Sequence, residues 1–170
     1  MSDVRTDVLE KLAELRIAYE IMEHPAAHTM EDCRVAEEHF HAVMPKNLFL
    51  TPRNESAFYL CIVRPETVFK TADISKQIGS SRLSFASEER LLELLRTKPG
   101  AISPMGLLFD AEKRVTLLMD ESLRDEPVLL FHPCDNTASL ALTNEAFFGR
   151  LLPALGRVPK WIKVVNVNCK

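Results

Sequence analysis

Asn47-Leu48-Phe49-Leu50-Thr51-Pro52-Arg53-Asn54-Glu55-Ser56-Ala57-Phe58-Tyr59-Leu60-Cys61-Ile62-Val63 sets two short apolar runs, 47–50 and 57–63, around a Pro52-Arg53-Asn54 break. Apolar runs of this length bounded by turn residues read as strands, and their spacing predicts an antiparallel hairpin. Toward the N-terminus, Val8, Leu9, Leu12 and Leu15 recur at helical spacing and predict a helix over about residues 4–16. Tyr19 to Glu23 alternates as a strand does and is stopped by Pro25. Thr29 with Asp32 three residues on resembles a capping box, which predicts a helix running to about His39.

Toward the C-terminus, Asp73 to Ile78 followed by Gly79 reads as a short helix with a glycine stop. Ser87 is placed to cap a further helix, with Glu88 and Glu89 in its first turn and Leu91, Leu92, Leu94 and Leu95 as its buried stripe. Strands are expected at about 106–109, 114–119, 128–132 and 138–142, then a helix from Thr143 to Leu152 and a strand near Trp161 to Val165. Strands outnumber helices and come in hairpin-like pairs. The expected class is α+β with a mostly antiparallel sheet, as one domain over residues 1–170.

Composition narrows the function. At 170 residues and 46% hydrophobic content the chain can bury a core without disulfides or a structural metal. A net charge of −3 argues against a generally basic nucleic-acid binder, although a local basic rim would suffice to grip one end of an RNA. Neither a signal peptide nor an apolar run of the roughly 20 residues that span a bilayer is visible, so a cytoplasmic protein without a membrane partner is expected. Cys33, Cys61, Cys134 and Cys169 form no C-x-x-C pair, and Cys61 reads as a small core hydrophobe.

Familiar catalytic signatures are missing. His24 and His28 stand four apart, but Pro25 disfavours the helix that would align them, and His39 and His41 read as a solvated helix end, so no metal site is assigned. No G-x-S-x-G elbow and no glycine-rich phosphate loop occurs, and no cofactor is implied. Three segments are chemically suggestive: Lys46-Asn47 at the mouth of an apolar strand, the Pro99 to Pro104 loop, and His132 to Thr137 after the strand Val128 to Phe131. Taken singly, each reads better as its plain alternative: a surface lysine, a connecting turn or a polar loop. On residues alone the result is an α+β domain with a polar cluster of unassigned purpose.

Taken together and in order, Lys46-Asn47-Leu48-Phe49-Leu50, Leu83 to Glu89, Pro99-Gly100-Ala101-Ile102-Ser103-Pro104-Met105-Gly106-Leu107 and His132-Pro133 with Asn136-Thr137-Ala138 closely resemble the YbaK and prolyl-tRNA synthetase editing-domain superfamily. The similarity is greatest to its free-standing alanyl-tRNA(Pro) deacylases, the ProX or PrdX group. The resemblance implies that the sheet is curved, mostly antiparallel or mixed, and wrapped by helices. It also implies a trans-acting hydrolase that removes alanine from proline tRNA by substrate-assisted ester hydrolysis. Cysteine on proline tRNA, or a non-catalytic tRNA-binding module, is the alternative. The resemblance implies Lys46, Gly100 and His132 as catalytic. It implies Asn47, Ala101, Ile102, Ser103, Pro104 and Asn136 as further substrate contacts. The implied partner is the acceptor end of mischarged proline tRNA, with room for a transient contact to prolyl-tRNA synthetase or an elongation factor, and not DNA. Two positions depart from the pattern: Ala101 stands where serine is common, and Cys134-Asp135 where the stretch is usually apolar.

Overall fold

The computed structural model of the chain describes residues 3–27 and 32–164. Thr29 and His28 lie outside them, and with them the expected capping box. The expected hairpin is present as β2 (Lys46–Pro52) and β3 (Phe58–Val63), paired antiparallel with Lys46 opposite Val63. Thr51 steadies the turn by donating its hydroxyl to the Ala57 carbonyl at 2.7 Å.

Around this hairpin grows a five-stranded open sheet in the order β4-β2-β3-β5-β8, with β4 (Leu83–Phe85), β5 (Val115–Asp120) and β8 (Lys160–Ile162). The pairs β4–β2 and β2–β3 are antiparallel, while β3–β5 and β5–β8 are parallel. The parallel half explains the lack of alternation in Phe58 to Val63, because strands covered on both faces read as continuous apolar runs. Phe58, Leu60 and Ile62 enter the larger core, whereas Cys61 and Val63 enter a smaller one beneath α3 (Thr71–Ile78). Gly79 ends α3 at a φ of 69°, as the glycine stop predicts.

A second, antiparallel sheet has the order β1-β7-β6, from β1 (Glu20–Glu23), β6 (Val128–Phe131) and β7 (Ala138–Thr143). The larger core fills between the two sheets, with α1 (Val4–Glu14) and α4 (Glu88–Leu95) contributing Val8, Leu12, Leu91 and Leu95. Ser87 caps α4 by accepting the Arg90 amide at 3.2 Å. The short helix α2 (Arg34–Phe40) covers the second sheet. His39 and His41 at its end are exposed.

Two expectations need correction. Residues 106–109 are not a strand but part of a 3-10 helix, Pro104–Phe109. Proline at its first position and the Ser103 hydroxyl, which accepts the Met105 amide at 3.1 Å, start that helix. The helix expected over Thr143 to Leu152 is a π-helical turn, Glu145–Leu151, running into the short α5 (Leu152–Ala154).

The crossing from one sheet to the other decides where a site can form. Val43 makes an isolated parallel bridge to Leu129 of β6, and its carbonyl accepts the Leu130 amide at 3.1 Å. Three residues later the chain enters β2 of the other sheet. Met44 to Asn47 are therefore stretched across the seam between the sheets.

Candidate active site

At this seam lies a cleft of about 200 Å³. The crossing segment supplies Lys46 and Asn47, the loop after α4 supplies Gly100 and Ile102, and the end of β6 supplies His132. Its apolar wall is Ala27, Met44, Leu48 and Phe131, with Cys33 at its edge.

His132 is only 7% exposed, and one of its two ring nitrogens is held within the protein. Nδ1 lies 2.9 Å from the Ala138 carbonyl, which can only accept, so the ring carries its proton on Nδ1. Nε2 is left as an acceptor, 4.0 Å from Cys33 Sγ. Burial lowers the His132 pKa below its ordinary value of 6.5, and the nearby His24 ring pushes the same way. The imidazole is neutral at pH 7. His24 is itself tied down, with Nδ1 donating to the Pro25 carbonyl at 2.9 Å and Nε2 accepting from Ser139 Oγ at 2.8 Å.

Cys33 is a pocket residue that its sequence context did not mark. Burial first, and then the carboxylates of Glu37 and Asp32, push its thiol up to about 11. A thiol so protonated is a poor nucleophile at neutral pH. Cys134 and Cys61 are buried and pushed up to about 12, mainly by desolvation.

Lys46 is half-buried and donates from Nζ to the Thr67 carbonyl at 3.2 Å, which holds the ammonium at the rim. Asn47 donates from Nδ2 to the Pro45 carbonyl at 3.4 Å, and its Oδ1 is buried without a partner among the described residues. An orphaned acceptor of this kind costs free energy until a donor arrives.

The 99–104 loop divides its residues between two cavities. Gly100 sits at a φ of 89°, in the left-handed region that glycine tolerates. The Ala101 amide donates to the Lys98 carbonyl at 3.0 Å, while Gly100 and Ile102 make no such backbone bond among the described residues. Only Gly100 and Ile102 of this loop line the small cleft. Ala101 instead lines a larger cavity of about 770 Å³ on the other side of the loop, together with Asn136 and the Cys134-Asp135 pair.

Four expected contacts are thus placed elsewhere. Ala101 faces away, and Ser103 is fully buried as a helix cap. Pro104 is buried as the first residue of the 3-10 helix. Asn136 donates from Nδ2 to the Ala27 carbonyl at 2.9 Å, and its own carbonyl accepts the Ala27 amide at 3.0 Å. Asn136 therefore clamps a wall of the cleft instead of lining it. Lys46, Asn47, Gly100, Ile102 and His132 are the expected residues that do converge.

A sequence model of the aminoacyl-tRNA editing domain matches residues 24–148. The chain belongs to the aminoacyl-tRNA editing domain family. It is 34% identical over 143 residues to the prolyl-tRNA editing protein ProX of Acetoanaerobium sticklandii, covering 84% of this chain and 87% of that protein. It is 32% identical over 143 residues to the prolyl-tRNA synthetase associated domain-containing protein 1 of Danio rerio, covering 83% and 77% of the two chains. A crystal structure described as a candidate trans-editing enzyme for prolyl tRNA synthetase superposes with a TM-score of 0.72 at 19% identity, covering 96% of this chain and 98% of that one. At that identity the likeness speaks for the fold. As an editing domain, the protein is a hydrolase of aminoacyl-tRNA esters. Within the described residues no helix is long and apolar enough to cross a membrane.

Proposed function

We propose that this editing domain removes alanine from proline tRNA in trans. The observation that carries the reading is the convergence of Lys46, Asn47, Gly100, Ile102 and His132 on one cleft of about 200 Å³. That volume lies below the ~300–1,000 Å³ usual for small-molecule sites and suits a side chain as small as a methyl. A synthetase pocket shaped for proline cannot exclude alanine by size, because missing methylenes are worth only ~1–3 kcal/mol each, so a second hydrolytic sieve is useful. The prolyl-tRNA editing named for its relative agrees with this need.

The chemistry follows from the groups present. The ester joining an amino acid to a ribose hydroxyl is already activated, and placing a water on it supplies most of what hydrolysis requires. The amides of Gly100 and Ile102 are the loop donors left for the developing oxyanion, since that of Ala101 is taken. Asn47 Oδ1 offers an acceptor to a donor on the substrate. The neutral His132 offers Nε2 in the same role. Lys46 at the rim provides a charge-assisted contact to the terminal phosphate. The neighbouring hydroxyl of the terminal ribose orients the water, so no side-chain nucleophile is needed, and the protonated Cys33 is not one.

A deacylation panel tests the reading: proline tRNA charged with Ala, Cys, Ser or Pro, each incubated with purified protein. Ala-tRNA(Pro) should be cleaved far faster than Pro-tRNA(Pro). Equal rates on the two would overturn the editing assignment, since such an enzyme destroys correct product. Lys46→Ala should cut the Ala rate severely while the melting temperature falls by no more than a few degrees, because the one hydrogen bond from its ammonium to the Thr67 carbonyl is worth only about 1 kcal/mol to the fold.

A further inference from the structure

One cleft on the described surface carries a surplus of positive charge that the aminoacyl site does not use. Lys70, Lys76 and Lys163 line a cavity of about 300 Å³ in which Asp73 is the acidic member. Lys70 precedes α3, Lys76 lies on it, and Lys163 follows β8. Gln77 fixes the last of these against α3. Its Nε2 donates to the Lys163 carbonyl at 2.7 Å and its Oε1 accepts the Lys163 amide at 2.9 Å. The ion pairs among the described residues are all made by arginine, and these three lysines take part in none of them.

This cleft begins where the active site ends. Lys46 at the rim of the small cleft is bonded to the Thr67 carbonyl, and the next residue, Val68, is 46% exposed and forms a wall of the lysine cleft. Two other clefts among the described residues lack such a surplus. That beside α2 sets Glu37, Glu38 and Glu126 against Arg34. In the large cavity behind the 99–104 loop, Arg96 and Lys98 are balanced by Asp3 and Asp135, and Arg96 already pairs with Asp7 at 2.9 Å.

We infer that the lysine cleft seats the phosphate backbone of the RNA acceptor stem, the duplex that continues away from an aminoacyl end held in the small cleft. The inference rests on the proposed reading of that cleft. A chain with a net charge of −3 repels a polyanion as a whole, so its attractive surface has to be local. An RNA duplex hides its base edges in a deep, narrow major groove and presents phosphates, for which compact ammonium groups are suited partners. Each phosphate neutralised releases counterions, so the contacts register in the salt dependence of binding.

The test compares wild type with the Lys70→Ala, Lys76→Ala, Lys163→Ala triple variant. The three side chains are exposed, so their removal leaves the core intact. Binding of uncharged proline tRNA, measured from 50 to 200 mM salt, should weaken roughly 10-fold or more in the variant. The slope of log affinity against log salt should flatten by about 2–3, on ~0.7–0.9 per phosphate. On Ala-tRNA(Pro), KM should rise with kcat unchanged, whereas an alanyl ester of a CCA trinucleotide, which has no stem, should be cleaved equally by both proteins. Unchanged tRNA affinity and salt slope would overturn the inference and point to an acidic protein as the partner of this face. Because uncharged tRNA binding is read separately from hydrolysis, failure of wild type to cleave any ester would sink the editing reading alone.

Discussion

At the scale of single residues, the site depends on groups whose environment changes what they can do. Gly100 holds a φ of 89°, while a Cβ added there would meet nothing closer than Asn136 Nδ2 at 3.9 Å. The penalty for a side chain is therefore conformational, not steric. Gly100→Ala should cost about 1–2 kcal/mol in denaturant unfolding and reduce deacylation by more than that loss explains, since the loop amides shift with it. His132 contributes through its depressed pKa. The unfolded chain binds a proton near pH 6.5 that the folded chain resists, so this contribution to stability is complete above that pH and is lost as pH falls toward the folded value. Melting temperature should therefore begin to drop below about pH 6.5, and His132→Asn should flatten that part of the profile. An identical pH profile in the variant would mean that another group titrates there.

At the scale of elements, the 3-10 helix Pro104–Phe109 sets the position of the loop before it. Gly106 lets this segment press onto α4, for a Cβ there would fall 2.7 Å from both the Cβ and the carbonyl oxygen of Leu95. The clash is with backbone and a core side chain, neither of which can swing away. Gly106→Ala should destabilise the protein by about 1–3 kcal/mol, read by chemical denaturation, and lower activity as the loop is displaced. From sequence alone this stretch, with Leu107, Leu108 and Phe109 apolar in succession, reads as a strand. What decided otherwise was the local competition at its start, where Pro104 and the Ser103 hydroxyl favour a helical turn. By contrast the Ser87 cap, the Gly79 stop and the β2–β3 hairpin were legible, because each is determined by neighbours within a few residues.

At the scale of the whole molecule, a buried ion pair joins parts distant in sequence. Arg157, after α5, donates from Nη2 to Asp110 Oδ2 at 2.7 Å and to the Asp110 carbonyl at 2.9 Å, and from Nη1 to the Val115 carbonyl. Asp110 in turn accepts the amides of Arg114 and Val115 at 3.0 and 2.9 Å. The pair thus ties the end of the 3-10 helix, the start of β5 and the lead into β8. Removing one partner strands the other charge in the interior, so Asp110→Ala should cost about 3–5 kcal/mol in equilibrium unfolding. Arg157→Met made in the same background should recover part of that loss, and a strictly additive double variant would show that the two side chains do not act as a unit.

The sequence by itself determined the class of fold, the hairpin at its centre, the caps of α3 and α4, and the family to which the ordered motifs point. These are properties of short windows, where propensity, turn chemistry and motif spacing act between near neighbours. Only the tertiary structure decided that the described strands form two sheets, that half of the larger one is parallel, and which expected residues share a cleft. Cys33, Met44 and Phe131 carry no chemical signature in sequence and became wall residues because the Val43–Asn47 crossing brings the two sheets together there. Asn136, Ser103 and Ala101 lie within the same motifs as the converging residues, yet the backbone bonds of Ala27, Met105 and Lys98 take up their polar groups. The physical reason is that a motif specifies which side chains are near one another along the chain, while the direction each faces depends on which buried donor or acceptor, often far away in sequence, must be satisfied.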